Sequence, residues 1–219
     1  MFSKMPRWIW IGASALAFVA GIINAVGFLG IGHMGISHLT GTTTLFGISL
    51  GLGQSSETLH FLAVLCSFVL GASLSGFIIK DSTLRLGSRY GVALMIESGL
   101  LILAVVLLKR QSVLGDYLAS CACGLQNAMV STYSGATLRT THMTGAITDV
   151  GIFMGHMLSG IPVDKRRFRL LGLLIGTFAL GGAAGGILFA RFAYDTLLLP
   201  AILTGIIGSV YSVYQRRKA

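Results

Sequence analysis

His38-Leu-Thr-Gly-Thr-Thr-Thr-Leu-Phe-Gly-Ile-Ser-Leu-Gly51 returns 104 residues later as His142-Met-Thr-Gly-Ala-Ile-Thr-Asp-Val-Gly-Ile-Phe-Met-Gly155. Seven of the fourteen aligned positions are identical: His, Thr, Gly, Thr, Gly, Ile and Gly. Two apolar segments alike by chance share Leu and Val, not a His, a Thr-Gly and a Thr. The chain therefore carries an internal repeat, and its fold is to be read as two copies of one unit. The likeness spreads outward. Gly21-Ile-Ile-Asn24-Ala25 recurs as Gly124-Leu-Gln-Asn127-Ala128, and Phe68-x-Leu70-Gly71 with Gly76 recurs as Phe178-x-Leu180-Gly181 with Gly186. The two copies are expected to span 1–110 and 111–219.

Composition sets the solvent. Of 219 residues, 54% are hydrophobic and 11% charged, with a mean hydropathy of +0.83. A soluble domain carries roughly a quarter charged residues, so lipid must face much of this surface. Trp8–Gly32, Phe61–Ile79, Tyr117–Leu138, Leu170–Ala190 and Thr196–Tyr214 are free of charge, and Tyr90–Leu108 holds only Glu97. Each approaches the length of about 20 residues that a helix needs to cross the hydrocarbon core. Lys4 and Arg7 ahead of Trp8–Ala20 resemble a secretory signal, but the repeat of Gly21–Ala25 makes this helix part of the fold, expected to be retained.

The net charge of +9 does not signal nucleic acid, because the basic residues fall between the apolar runs. They read as topology determinants. Lys4 and Arg7, the loop with Lys80, Arg85 and Arg89, the loop with Lys165, Arg166, Arg167 and Arg169, and the tail with Arg216, Arg217 and Lys218 all fit one side, the cytoplasm. Lys109 and Arg110 are the exception. Both termini then lie inside and each half crosses an odd number of times, three. The second copy must start on the opposite side. The sequence thus predicts an all-α polytopic membrane protein, with six crossings arranged as two inverted three-helix repeats. Cys66, Cys121 and Cys123 lie inside apolar runs and read as small buried hydrophobes.

Residues 8–54 are too long for one crossing, which predicts a re-entrant segment in each half. Residues 31–39 would turn back toward the midplane and a short helix over about 41–54 would return to the same side. Irregular backbone at that depth is tolerated where protein buries it or a cavity receives it. Thr40-Gly41 and Thr144-Gly145 would start the two short helices with Thr as N-cap. Inversion would bring both N-termini, with their unpaired amides and positive dipole ends, to one site suited to an anion. His38, His142, Thr44 and Thr148 would add side-chain donors, and Asn24 and Asn127 would line it. The competing expectation is an ordinary cap in a surface loop. Gly47 with Gly51, Gly151 with Gly155, and Gly181, Gly182, Gly185 and Gly186 are expected at helix packing seams.

Three charges break the repeat. Asp149 stands where the first copy has Leu45, Glu97 lies inside a crossing, and Arg139 precedes the second motif. Intramembrane carboxylates are costly and commonly functional, so Asp149 and Glu97 are candidates for proton or cation coupling. Arg139 is open to two roles, compensating an anionic substrate or pairing with Asp149.

Ala20-Gly21-x-x-x-Ala25-x-x-Phe28-Leu29, Ser37-His38-x-Thr40-Gly41, Gln126-Asn127-Ala128 and Thr140-Thr141-His142-x-Thr144-Gly145 together resemble the YoaK-like UPF0700 (DUF1275) bacterial membrane proteins, over essentially the whole chain. The resemblance implies six-helix inner-membrane proteins and supports architecture more than activity. This sequence departs from that pattern at Thr42 and Ala146, where Asn usually follows Thr-Gly, and at Asn24, where relatives commonly hold an acid.

The leading expectation is a secondary transporter of a small anionic or carboxylate-type solute working by alternating access. The alternatives are a channel on the same plan and a non-transport assembly or sensor protein. No H-E-x-x-H and no Gly-x-Ser-x-Gly elbow is present, so no enzyme, cofactor or metal is expected. Expected partners are the lipid bilayer and the solute, without nucleic acid; three crossings per half is small for a transporter and is compatible with a homodimer.

Overall fold

The computed structural model describes residues 7–79, 89–133 and 139–216. The loop 80–88 and both chain ends, which carry much of the expected charge asymmetry, lie outside the described residues. Among the described residues the structure is all helical, without strands. The helices are α1 (Arg7–Leu29), α2 (Leu39–Gly51), α3 (Ser55–Ile78), α4 (Arg89–Lys109), α5 (Leu114–Tyr133), α6 (Met143–Leu158), α7 (Lys165–Phe192) and α8 (Leu198–Arg216). A 3₁₀ turn, Ala193–Leu197, joins the last two.

Four stretches are long and apolar enough to cross a membrane: Trp10–Leu29, Ser55–Ile78, Arg89–Lys109 and Lys165–Val213, the last holding both α7 and α8. Their outward faces are apolar, with Phe77 77% and Leu70 66% exposed. Water would penalise such a surface and hydrocarbon does not, so this is a membrane protein. Helix α5 falls short of that hydropathy. It packs against both α3 and α4, and Ala119, Ser120, Ala122, Cys123, Leu125 and Gln126 are buried along it. Shielded from lipid, it has no need to be apolar all round.

Two exchanged helix pairs build the core. Helix α1 lies along α7, and α5 lies along α3. The crossings are equivalent. A Cβ on Gly21 would collide with the Phe178 carbonyl, and one on Gly124 with the Phe68 carbonyl; the return contacts are Gly181 on Phe18 and Gly71 on Cys121. Glycine lets the two backbones touch, which is how helices gain van der Waals contact when lipid removes the hydrophobic drive. The other expected seams are not there. A Cβ added at Gly47, Gly51, Gly151 or Gly155 would meet nothing within 4 Å among the described residues, and the same holds at Gly182 and Gly186, although the Gly182 backbone lies against Gly21 and Gly185 packs on α1. A G-x-x-x-G spacing marks a face that could pack without saying that it does.

The buried apolar residues form two large end clusters and a small third of Met34, Phe61 and Val64. One joins the early part of α1 (Ala13, Leu16, Ala17) to the starts of α4 and α7 and to the later part of α5. The other joins the later part of α1 (Val19, Ile23, Val26) to the ends of α4, the early part of α5, and the 3₁₀ turn. Neighbours thus meet in register: Arg166 stacks over the Trp10 ring at 5.4 Å, while the Ile31 amide donates to the Tyr194 hydroxyl at 3.0 Å. Lys109, one of the two residues that break the charge asymmetry, pairs with Asp195 at 2.9 Å.

Candidate functional site

After α1 the chain doubles back along it. The Met34 amide donates to the Gly27 carbonyl at 3.2 Å. Three residues on, the Ser37 amide and hydroxyl donate to Asn24 Oδ1 at 3.2 and 3.3 Å. Met34, Gly35, Ile36 and Ser37 are all buried. Helix α2 then runs for 13 residues, about 20 Å, and Thr58 at the start of α3 donates to Ser49 near its end at 3.0 Å. In the second half Thr140 donates to Gln126 Oε1 on α5 at 3.4 Å, just before α6. Each His-containing segment is therefore folded back against the helix that precedes it.

The caps differ from expectation. His38 and His142 are the N-caps, so Thr40 and Thr144 sit inside the first turn. His38 Nδ1 accepts from the Gly41 amide at 3.3 Å. An imidazole nitrogen reaches the third amide as an Asn oxygen would, which places the cap two residues earlier than Thr. His142 makes no such side-chain bond; its ring lies over Gly145, where any Cβ would collide with it. The His-x-Thr-Gly spacing thus has a local cause, a ring at the cap folded over a bare third position.

The two copies converge. A cavity of about 190 Å³ is walled by Ser37, His38, Leu39 and Thr40 from the first copy and by Arg139, Thr141, His142, Met143 and Thr144 from the second. Phe68 on α3 and Asn127 on α5 complete it. Its lining holds an arginine, two histidines and several hydroxyls, and no carboxylate. The first amides of α2 and α6, at Leu39, Thr40, Met143 and Thr144, have no acceptor inside their helices, and both positive dipole ends lie at this wall. Asn127 Oδ1 has no hydrogen-bond partner among the described residues. The chemistry offered is hydrogen-bond donation and positive potential.

His38, Thr40, His142, Thr144 and Asn127, all singled out in the sequence, meet here. Others stand apart. Asn24 is buried and holds Ser37, while Gly41 and Gly145 lie under the cap rings. Thr44 and Thr148 donate back to the carbonyls of Thr40 and Thr144 at 3.0 and 2.9 Å. Asp149 is ion-paired with Arg167 at 2.6 Å, and the Phe153 ring lies 5.5 Å from the same guanidinium. That leaves Arg139 in the cavity wall, with no acidic partner among the described residues. Glu97 is wholly buried and accepts from Gln126 Nε2 at 3.0 Å. Sequence reasoning missed Ser37, Thr141 and Phe68 as wall residues, although Ser37 and Thr141 hold equivalent places one step before each His.

Helix content and apolar outward faces define a polytopic α-helical membrane protein, with a half-open polar cleft between two folded-back helix starts. The sequence profile described as "Protein of unknown function (DUF1275)" matches residues 12–210, and the chain belongs to this family. It is similar to the UPF0700 transmembrane protein YoaK of Bacillus subtilis (strain 168), at 23% identity over 142 residues. The match covers 63% of this chain and 63% of that relative's length. No solved structure matches.

Proposed function

We propose that the protein is a secondary transporter of a small anionic or carboxylate-type solute, which binds between the two His-x-Thr-Gly helix starts. One observation carries this reading: the copies, 104 residues apart in sequence, wall a single cavity that contains Arg139 and no carboxylate. Helix N-termini with free amides favour anions, and an arginine adds a planar donor fork.

Alternating access about this site follows if the halves 1–110 and 111–219 are inverted repeats. Exchange of α1 on α7 for α5 on α3, through equivalent glycines, supports a two-fold relation. Inversion is supported by the end clusters, where the early part of α1 and the later part of α5 share one end. Six crossings, with α5 as the most shielded, then place both termini on the basic side, the cytoplasmic face of an inner membrane. The Lys109–Asp195 pair reduces the charge that contradicts this orientation. A homodimer fits the unpacked G-x-x-x-G faces of α2 and α6. Carrier chemistry without covalent steps suits the two like histidines better than catalysis, whose acid and base need unlike environments.

The test is uptake into proteoliposomes of radiolabelled phosphate, sulfate, nitrate and glycolate, against glucose and choline as neutral and cationic controls. Saturable uptake of one of the anions, lowered at least about tenfold by Arg139→Gln, is expected. Uptake of the neutral or cationic controls alone would exclude the reading. Non-saturating flux without counterflow would favour a channel.

A further inference from the structure

Glu97 is a carboxyl wholly inside the helix bundle. Its Oε1 accepts from Gln126 Nε2 at 3.0 Å, and its Oε2 has no hydrogen-bond partner among the described residues. It belongs to neither of the described ion pairs. Gln126 then presents its own oxygen to Thr140 at 3.4 Å. Thr140 lies between Arg139 and Thr141, both in the cavity wall. A polar chain thus runs from the interior of α4, across α5, to the backbone that carries the arginine of the site.

The first half lacks this chain. The positions equivalent to Gln126 and Thr140 are Ile23 and Ile36, both fully buried in one apolar cluster. The same fold is therefore held by plain apolar packing in one copy. Burying a carboxyl, an amide and a hydroxyl at the matching place in the other is costly, and intramembrane carboxyls that persist at such a cost mark ion and proton pathways.

Among the described residues, Glu97 has no counter-charge. Helix α5 turns Gln126 to it, with the Cys123 thiol one turn earlier. From α8, the tyrosine in the packing is Tyr211, in the cluster with Tyr90 and Leu94 at the start of α4. Arg89 opens α4 and donates to the Ile78 carbonyl on α3. At the other end Asp195 of the 3₁₀ turn is held by Lys109.

We propose that Glu97 is the proton-binding site that couples solute movement to a proton gradient, with Gln126 and Thr140 as positioning residues that relay its charge to the cavity wall. The proposal rests on the transporter reading above and specifies its driving ion. The step is a simple acid–base transfer: a proton reaching the site forms an O–H bond at Oε2 and the carboxylate becomes neutral. While ionised, Glu97 holds the Gln126 amide by a charge-assisted bond, and with it Thr140. Once neutral it holds them less firmly, and the wall bearing Arg139 gains freedom to rearrange around a bound anion. The Asp149–Arg167 pair, in this account, fastens α6 to α7 and carries no coupled proton.

Two measurements separate this proposal from the reading beneath it. Infrared titration of the reconstituted protein follows the carbonyl stretch of a protonated carboxyl. A titrating band that is absent in Glu97→Gln, retained in Asp149→Asn and displaced in Gln126→Leu supports the proposal. A Glu97 that never takes up a proton overturns it, whatever the protein transports. In proteoliposomes, glycolate, a monoanion, should accumulate about tenfold for each unit of imposed pH gradient at one proton per anion. Glu97→Gln should lose this gradient response and flatten the pH profile of uptake, with Glu97→Asp restoring part of it. The same gradient response in Glu97→Gln as in the native chain would overturn the proposal while leaving the anion site standing. If no panel anion moves, the transporter reading falls, and the infrared titration still decides whether Glu97 binds a proton.

Discussion

The two copies of the motif share a backbone plan and differ in what their side chains do. In the first copy Asn24 is spent on Ser37, Ile23 and Ile36 pack as hydrocarbon, and His38 caps its own helix. In the second, the buried Asn127 Oδ1 has no partner among the described residues, Gln126 and Thr140 form a polar chain, and the ring of His142 makes no cap bond. Arg139, Asp149 and Glu97 have no charged counterparts across the repeat. The motif is repeated and the difference lies in how each copy is held: apolar packing makes the first a plain wall, while a buried polar chain braces the second.

The largest effect tests the frame. Gly21→Val and Gly124→Val each drive a side chain into a facing carbonyl. Overpacking of this kind costs about 1–3 kcal/mol or more. Both variants should lower the thermal midpoint in detergent by similar amounts. A large loss for one and none for the other would show that the crossings are not equivalent.

The next effect separates the two asparagines. Asn24→Ala leaves Ser37 unsatisfied in a buried place, at a cost of about 1–3 kcal/mol, so it should lower stability. Asn127→Ala removes an oxygen with no protein partner among the described residues. It should change anion affinity while the midpoint moves little. Equal loss of stability in both would erase the distinction between wall and working half.

The smallest effect concerns Asp149. Its pair with Arg167 is about one-third exposed on both sides, and such pairs contribute about 0–1 kcal/mol. Asp149→Asn should shift the midpoint only slightly and leave the pH dependence of uptake in place. A flattened pH profile in this variant would move coupling from α4 to α6.

Much of the frame was legible because the bilayer imposes it. Six apolar runs read as helices because unpaired backbone is costly in hydrocarbon, and the described helices fall close to those runs. The short helix was expected over about 41–54 and occupies Leu39–Gly51. The shift arose because histidine is not an ordinary cap, and only the fold of its ring over Gly41 shows that it acts as one. Packing seams were misjudged for a related reason: Gly21, Gly71 and Gly124 touch backbone, whereas Gly47, Gly51, Gly151 and Gly155 do not. Spacing fixes which residues share a face and leaves open which face is covered. Of the site, the histidines, the first-turn threonines and Asn127 were visible as repeats. Arg139 was visible only as an odd charge, since its place in the wall depends on the fold, and Gln126 as an anchor for Thr140 was not, since that contact joins chain segments 14 residues apart.

The central claim is that both copies serve one site, and Thr40 and Thr144 test it most directly because each is exposed and lines the same cavity. In a background with Cys66, Cys121 and Cys123 replaced by Ala, Thr40→Cys and Thr144→Cys would each be labelled in oriented membranes with a sulfonated thiol reagent while the transported anion is titrated. The account predicts labelling from the same side and protection at both positions with the same half-maximal concentration. Labelling from opposite sides, or protection at one position and not at the other, would contradict it.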